Sequence, residues 1–373
     1  MTRAPAGPVV HLHCLCWNEA AIIPHFLRHY DGLVSRFFVH DNGSTDGSVA
    51  LLQADPRVTL ASFAVTGDSF ALEEQRRSDR MWQCSRGRAD WVIVVDMDEF
   101  LFHPDLPAYL RCCRTKGISA IRAIGYDMIA DDMPAGGPPL HQVVTRGVRS
   151  LGYDKPCIFD PQAIAETRFS IGRHGATPAG RVVWPERPQV ALLHFKYMGA
   201  EYSDTRNRVL RGGLKPRDHE MGWGGGYLRS AAQTGAHHRR LREAAAPVPG
   251  LPGGPPAETL GAEEATIRAS ARFDAAWYLA RNPDVARNGY DPAAHYGCFG
   301  WLEGRLPNPG FSPADYLRYV ELDAAWYLAR YPDVQAAGLD AATHFVQHGW
   351  REGRRANPQV GPADYFRSAA APR

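Results

Sequence analysis

Residues 91–102 read WVIVVDMDEFLF, and the fold turns on this stretch. Its first half is an unbroken run of Trp, Val and Ile. A strand buried on both faces reads that way, and such strands belong to parallel sheets covered by helices. Its second half ends the run in three acids, Asp96, Asp98 and Glu99. Carboxylates at the edge of an apolar core are costly unless something positive meets them. Two residues apart at a strand exit, Asp96 and Asp98 share one side while Met97 takes the other. Two hard oxygen donors on one side suit Mg2+ or Mn2+ and leave room for water and phosphate oxygens. The bland alternative is a solvated loop after a buried strand.

Working outward, residues 9–17 read as a strand and EAAIIPHFLRHYDG (19–32) as a helix. VSRFFVH (34–40) is a second strand, and STDGSVALLQ (44–53) opens a second helix. RVTLAS (57–62) is a third strand and SFALEEQRRSDRMWQCSRG (69–87) a third helix, which leads into the opening stretch. Strands alternating with helices of this length predict crossover units and a mostly parallel sheet with helices on both faces. After Phe100 short strands, GISAIRAIG, KPCIFD and VALLHFKY, stand among long Gly/Pro-rich loops.

The chain has 373 residues, enough for two or three domains, with a formal net charge of +2. Near-balanced charge gives no global field toward nucleic acid. No stretch approaches the ~20 apolar residues of a membrane span. The start, MTRAPAGPVVHLHCLC, has its apolar part broken by His11 and His13, so it reads as a first strand rather than a leader. Seven cysteines without regular spacing argue for a reducing, cytoplasmic setting. HLHCLC is no metal site, because alternation on a strand sends the histidines one way and the cysteines the other.

Residues 244–265 shift to Pro, Gly and Ala without periodicity and read as a linker. An internal repeat follows in 266–373: FDAAWYLARNPDV from Phe273 returns as LDAAWYLARYPDV from Leu322, offset by 49 residues. Trp277 thus matches Trp326, His295 matches His344 and Arg305 matches Arg354. Asp274 and Asp323 stand where N-caps would, and Pro283 and Pro332 where helices stop. This predicts an all-α module of two units packed through Trp and Tyr.

Other strand exits carry polar groups too. CWNEAA (16–21) ends the first strand in Asn18 and Glu19, and HDNGSTDGS (40–48) follows the second with Asp41 and Asp46. Turn and capping chemistry explains part of this. Open α/β sheets nevertheless bind ligands beyond the carboxyl ends of their strands. On VALLHFKY, His194 and Lys196 are two apart and share a face.

Together these segments resemble the family 2-like glycosyltransferases of the GT-A fold, especially a bacterial group with NE, DNGSTDGS and DxDEF in this order. The resemblance runs over roughly residues 9–230, where YDKPCIFDP, GRHGATP, LLHFKY and GWGGGY look like later blocks of the group. It implies a Rossmann-like GT-A domain over 1–243. Asn18, Glu19, Asp41 and Asp46, with Lys155 and Lys196, would contact a nucleotide sugar, with His174 a weaker candidate. Asp96, Asp98 and a late histidine, His194, would hold Mn2+ or Mg2+, with Glu99 in support. The implied reaction is inverting transfer of a sugar from a nucleotide diphosphate to a hydroxyl of a glycan or lipid-linked acceptor. The general base would be Asp127 or Glu166, and the sequence does not choose. The resemblance also implies peripheral association with the inner face of the cell membrane, while the repeats would serve a protein partner.

Two other classes compete. A haloacid dehalogenase-type phosphatase also places Asp-x-Asp after a strand, but on its first strand and with Thr or Val where Phe100 stands here. A glycan-binding or scaffold protein would act through the repeats alone.

Overall fold

The computed structural model describes residues 7–367 and divides the chain into two compact units, Met1–Leu260 and Gly261–Arg373. The first six residues of the leader-or-strand reading and the last six of the repeat module lie outside the described residues.

The first unit is a mixed α/β fold on a ten-stranded sheet. Its opening follows the pattern of crossovers: β1 (Val10–Cys16), α1 (Ile23–His29), β2 (Val34–Asp41), α2 (Ser48–Gln53), β3 (Val58–Ser62), α3 (Phe70–Met81) and β4 (Trp91–Val94). The order β4-β1-β2-β3 is parallel throughout. Helix α1 is shorter than the apolar run suggests, because Pro24 sits at its first turn and leaves Ala20–Ile22 outside.

Beyond β4 the expectation of a mostly parallel sheet fails. β5 (Glu99–Phe102), α4 (Leu106–Thr115), β6 (Ala120–Ala130), α5 (Leu140–Val143), β7 (Arg146–Arg149), β8 (Pro156–Phe159) and β11 (Val190–Met198) complete the main sheet. Here β9 (Ile164–Glu166) and β10 (Ala179–Gly180) form a separate antiparallel pair. β8 runs antiparallel between β4 and β6, β7 antiparallel to β6, and β5 antiparallel to β11. Of these later pairings only β6 with β11 is parallel. β7 and β8 flank β6, each antiparallel to it, and so run in the same direction without being neighbours.

The unit closes with α6 (Ala200–Gly213), α7 (Pro216–Glu220), α8 (Ala231–Ala244) and β12 (Ala246–Pro247). Of the segment expected to be a linker, 244–260 belongs to this unit and 261–265 to the second. β12 pairs with β7, and Val248, Leu251 and Leu260 are buried in the main core. Three dispersed apolar residues among Pro and Gly carry no period, which is why composition hides them.

The second unit is helical. Asp274 and Asp323 accept from the backbone N–H of Trp277 and Trp326 at 2.9 Å, capping the equivalent helices Ala275–Arg281 and Ala324–Arg330. Tyr278 and Tyr327 are fully buried, each with its hydroxyl 3.0 Å from Nδ1 of His295 or His344. Trp277 and Trp326 are only half-buried, so the core is carried by these tyrosines with Trp301 and Trp350. The repeats meet reciprocally. Gly304 lies against the backbone of Arg351, and Gly353 against that of Leu302; the two glycines are equivalent positions of the repeat, as are Leu302 and Arg351. Both glycines have φ +67°, and no side chain fits the approach. Residue i meeting j while j meets i is the mark of a twofold arrangement rather than of a growing stack.

Candidate active site

The opening stretch ends its strand at Val94, and Asp96 and Asp98 occupy the four-residue link to β5. The buried Tyr30 hydroxyl fixes that link, donating to the Glu99 carbonyl at 3.0 Å and accepting from Leu101 N–H at 2.9 Å. Strand register then does the assembling. Glu99 stands opposite His194 across β5 and β11, and His194 stands opposite Asp127 across β11 and β6. Asp98 Oδ2 therefore lies 3.4 Å from His194 Nε2, and Asp127 Oδ1 lies 2.7 Å from His194 Nδ1. Burial opposes charge on His194, but Asp98 and Asp127 outweigh it and lift its pKa to about 9. Burial likewise opposes ionisation of Asp98, yet the adjacent His194 pulls that carboxyl well below its ordinary range. Tyr153 stacks on His194 with ring centroids 3.9 Å apart.

Asp96 turns the other way. Its side chain, 40% exposed, pairs with the nearly buried Arg173 and lies 3.7 Å from Lys155 Nζ. Lys155 also pairs with the fully buried Glu99, whose Oε2 accepts from Asp96 N–H at 2.9 Å. Burial would raise the Glu99 pKa, but Lys155 and Arg173 hold it below its usual value. The expected metal trio is accordingly only half gathered: Asp98 and His194 face one another, and Asp96 faces cations. Among the described residues no group of three or more His, Cys, Asp or Glu side chains is arranged as a metal cage.

One cavity collects these groups at the carboxyl ends of β1 and β4. Asp96, Asp98, Lys155, His174, His194 and Lys196 line it, together with Glu19, Glu74 and Arg206. Arg206, on α6, donates to the carbonyls of Trp17 and Asn18 at 3.0 and 2.9 Å and pairs with Glu19. It thereby holds the turn at Asn18, whose φ is +53°. Lys196 lies over the Tyr227 ring at 4.6 Å and has no ion-pair partner among the described residues. Burial lowers its pKa, with Asp98 and Asp127 opposing. Burial also pushes His174 down to about 4.

The remaining expected residues divide. Asp41, buried, accepts from Ser44 N–H at 3.0 Å through Oδ2, while Oδ1 is buried without a partner. Asn18 Oδ1 accepts from Thr45 N–H at 2.7 Å and ties two strand exits together. Asp46 is consumed locally, accepting from Ala20 N–H, Ser48 N–H and the Ser48 hydroxyl. It does not line the cavity. Glu166 lies on the separate β9–β10 pair, exposed and bonded to Arg168 at 2.7 Å, so it cannot act as a base in this cavity. Asp127 reaches the cavity only through His194.

Sequence reasoning passed over Arg173, Arg206 and Glu74. What marks Arg173 is structural: in GRHG both Gly172 and Arg173 adopt positive φ, +66° and +55°. That is unusual for a residue other than Gly and tends to mark functional turns. Arg206 and Glu74 lie on helices with no local signature.

No family model matches the chain, and no curated protein sequence matches it. Solved structures with partial likeness include TarS 1-349 of S. aureus, at TM-score 0.26 and 12% identity over 41% of this chain and 47% of that one. Another is glucosyl-3-phosphoglycerate synthase from Mycobacterium tuberculosis with Mn2+ and uridine-diphosphate, at TM-score 0.24 and 22% identity over 32% and 45%. The chain spans less than half the length of either, and likenesses this slight leave the function to be argued from the side chains.

Proposed function

We propose that the first unit is a metal-dependent, inverting glycosyltransferase of the GT-A kind, moving a sugar from a nucleotide diphosphate to a hydroxyl of a glycan or lipid-linked acceptor. The observation that carries this reading is the pairing, in one cavity, of the Asp98–His194 couple with the unpaired Lys196. Hard oxygen donors beside an imidazole suit Mn2+ or Mg2+, and a half-buried ammonium without an ion pair suits a phosphate.

The residues fit such an ion. Asp127 bonds His194 Nδ1 and so directs Nε2 at Asp98, the carboxylate–histidine arrangement that orients metal ligands. Asp98 and His194 would hold the ion, while Asp96 pairs with Arg173 and Lys155. A bound divalent cation acts as a Lewis acid that stabilises a departing diphosphate. Lys196 places positive charge beside the same group. Asp41, with its unsatisfied Oδ1, offers an acceptor to a base or ribose donor at the neighbouring strand exit. Lys155 and Arg173 orient Asp96 and Glu99.

A screen of nucleotide sugars with Mn2+, reading nucleotide diphosphate release, tests the reading. Turnover of at least one donor is expected, reduced on the order of 100-fold or more in Asp98→Asn, as when one charge-stabilising group is removed. Release of phosphate from simple phosphomonoesters without any sugar-nucleotide turnover would overturn it.

A further inference from the structure

Four acids line the cavity, and three are engaged: Glu19 by Arg206, Asp96 by Arg173, and Asp98 by His194. The fourth, Glu74, has neither a hydrogen bond nor an ion pair among the described residues. It is half-buried, and its oxygens open to the cavity. A carboxyl left this way inside a charged cleft is costly unless a ligand donates to it.

Its position says what kind of ligand group that is. Glu74 sits one turn after Phe70 on α3, so both side chains point the same way into the cavity. Phe70 packs against Trp17 at 5.7 Å. Phe63, which also lines the cavity, donates its backbone N–H to the Asp41 carbonyl at 2.8 Å. Phe63 and Phe70 thus give the cavity an aromatic wall near the exit of β2, with the Arg77 guanidinium 4.1 Å from the Phe63 ring centroid. On its other side Glu74 looks toward Asp96 and the cations around it. It therefore stands between a wall suited to a flat base and a cluster suited to phosphate and metal.

The start of α3 is held for this purpose. Buried Asp218, on α7, accepts from Phe70 N–H at 2.8 Å, from Ala71 N–H at 3.2 Å and from the Ser69 hydroxyl at 2.6 Å.

We propose that Glu74 is the ribose-recognising residue of the donor site, accepting hydrogen bonds from the sugar diol between base and diphosphate. The inference rests on the glycosyltransferase reading and adds to it a specificity for ribonucleotides over deoxyribonucleotides. A carboxyl matches a vicinal diol, and acids meet ribose hydroxyls in other open α/β sheets.

The test is calorimetric binding, with Mg2+ present, of the common ribonucleoside diphosphates and their 2′- and 3′-deoxy counterparts. Wild-type protein should prefer one ribonucleotide over at least one of its deoxy forms by about tenfold. Glu74→Ala should lose that preference by weakening toward the ribo form alone, and Glu74→Gln should keep part of it. Preference unchanged in Glu74→Ala would overturn the proposal, as would equal weakening toward both forms. If no nucleoside diphosphate binds the wild type, the glycosyltransferase reading itself fails, a result distinct from either. Asp218→Asn, which loosens the helix start, should weaken ribo and deoxy forms alike; loss of discrimination there with Glu74→Ala unaffected would assign the effect to helix placement and contradict a direct role.

Discussion

The two units differ in how their polar groups are met. In the repeats the same pairings occur twice, Tyr278 with His295 and Tyr327 with His344, Arg305 with Asp284 and Arg354 with Asp333, although Trp350 Nε1 is buried without a partner. In the cavity of the first unit, polar groups are left over. Glu19 Oε2 is buried without a bond, and Lys196 and Glu74 have no ion-pair partner among the described residues. Buried polar atoms are normally satisfied, so a carboxylate oxygen left without a bond, in the same concave place as an acid and an ammonium without ion pairs, is a reason to look for a ligand there. The repeats are built for themselves and the cavity for a ligand.

The largest effect concerns where the first unit ends. A chain stopped after Leu260 should melt cooperatively, whereas one stopped after Ala245 loses the buried Val248, Leu251 and Leu260. At about 1.5–3 kcal/mol for each side chain, the loss is comparable to the whole stability of a domain. Equal melting of the two truncations, followed by circular dichroism, would return 246–260 to the status of a linker.

A second effect depends on pH. His13 is fully buried, 2.8 Å from Ser85 Oγ, and burial with help from His11 and His40 pushes its pKa down to about 3. The folded state keeps it neutral while the unfolded chain takes up a proton below about pH 6.5. Its contribution to stability is therefore whole above pH 6.5 and declines as pH falls toward 3. Melting temperatures of the wild type should fall through that window more steeply than those of His13→Gln; parallel slopes would contradict this.

The smallest effect sharpens the contrast from the other side. Tyr278→Phe and Tyr327→Phe each remove one hydroxyl from matched surroundings and should cost the same, about 1 kcal/mol. Denaturant titration of both variants checks it, and a clear inequality would break the equivalence of the repeats.

What the sequence made legible follows from range. Strands β1 to β4 and the capped repeat helices announce themselves through local period and capping residues, and the structure places them accordingly. The meeting of Asp98, His194 and Asp127 depends on the register of three strands nearly a hundred residues apart, so their types could be singled out but not their geometry. Asp46 and Glu166 show the converse. Each lies in a suggestive motif, and each is bonded to its immediate neighbours. Arg173 and Arg206 were illegible because what they do, holding Asp96 and the Asn18 turn, is a property of the folded cavity alone.

The central claim is that Asp98 and His194 hold a divalent cation against a nucleotide diphosphate. Calorimetric titration of the favoured nucleoside diphosphate, with and without Mn2+, measures it directly in the wild type and in Asp98→Asn. The substitution keeps the size of the side chain and removes the charge a hard cation needs. The wild type should bind about tenfold or more tighter with Mn2+, a difference of roughly 1.4 kcal/mol. Asp98→Asn should bind equally with and without the metal. An undiminished response to Mn2+ in Asp98→Asn would contradict the account and leave Asp98 as no more than the counter-ion of His194.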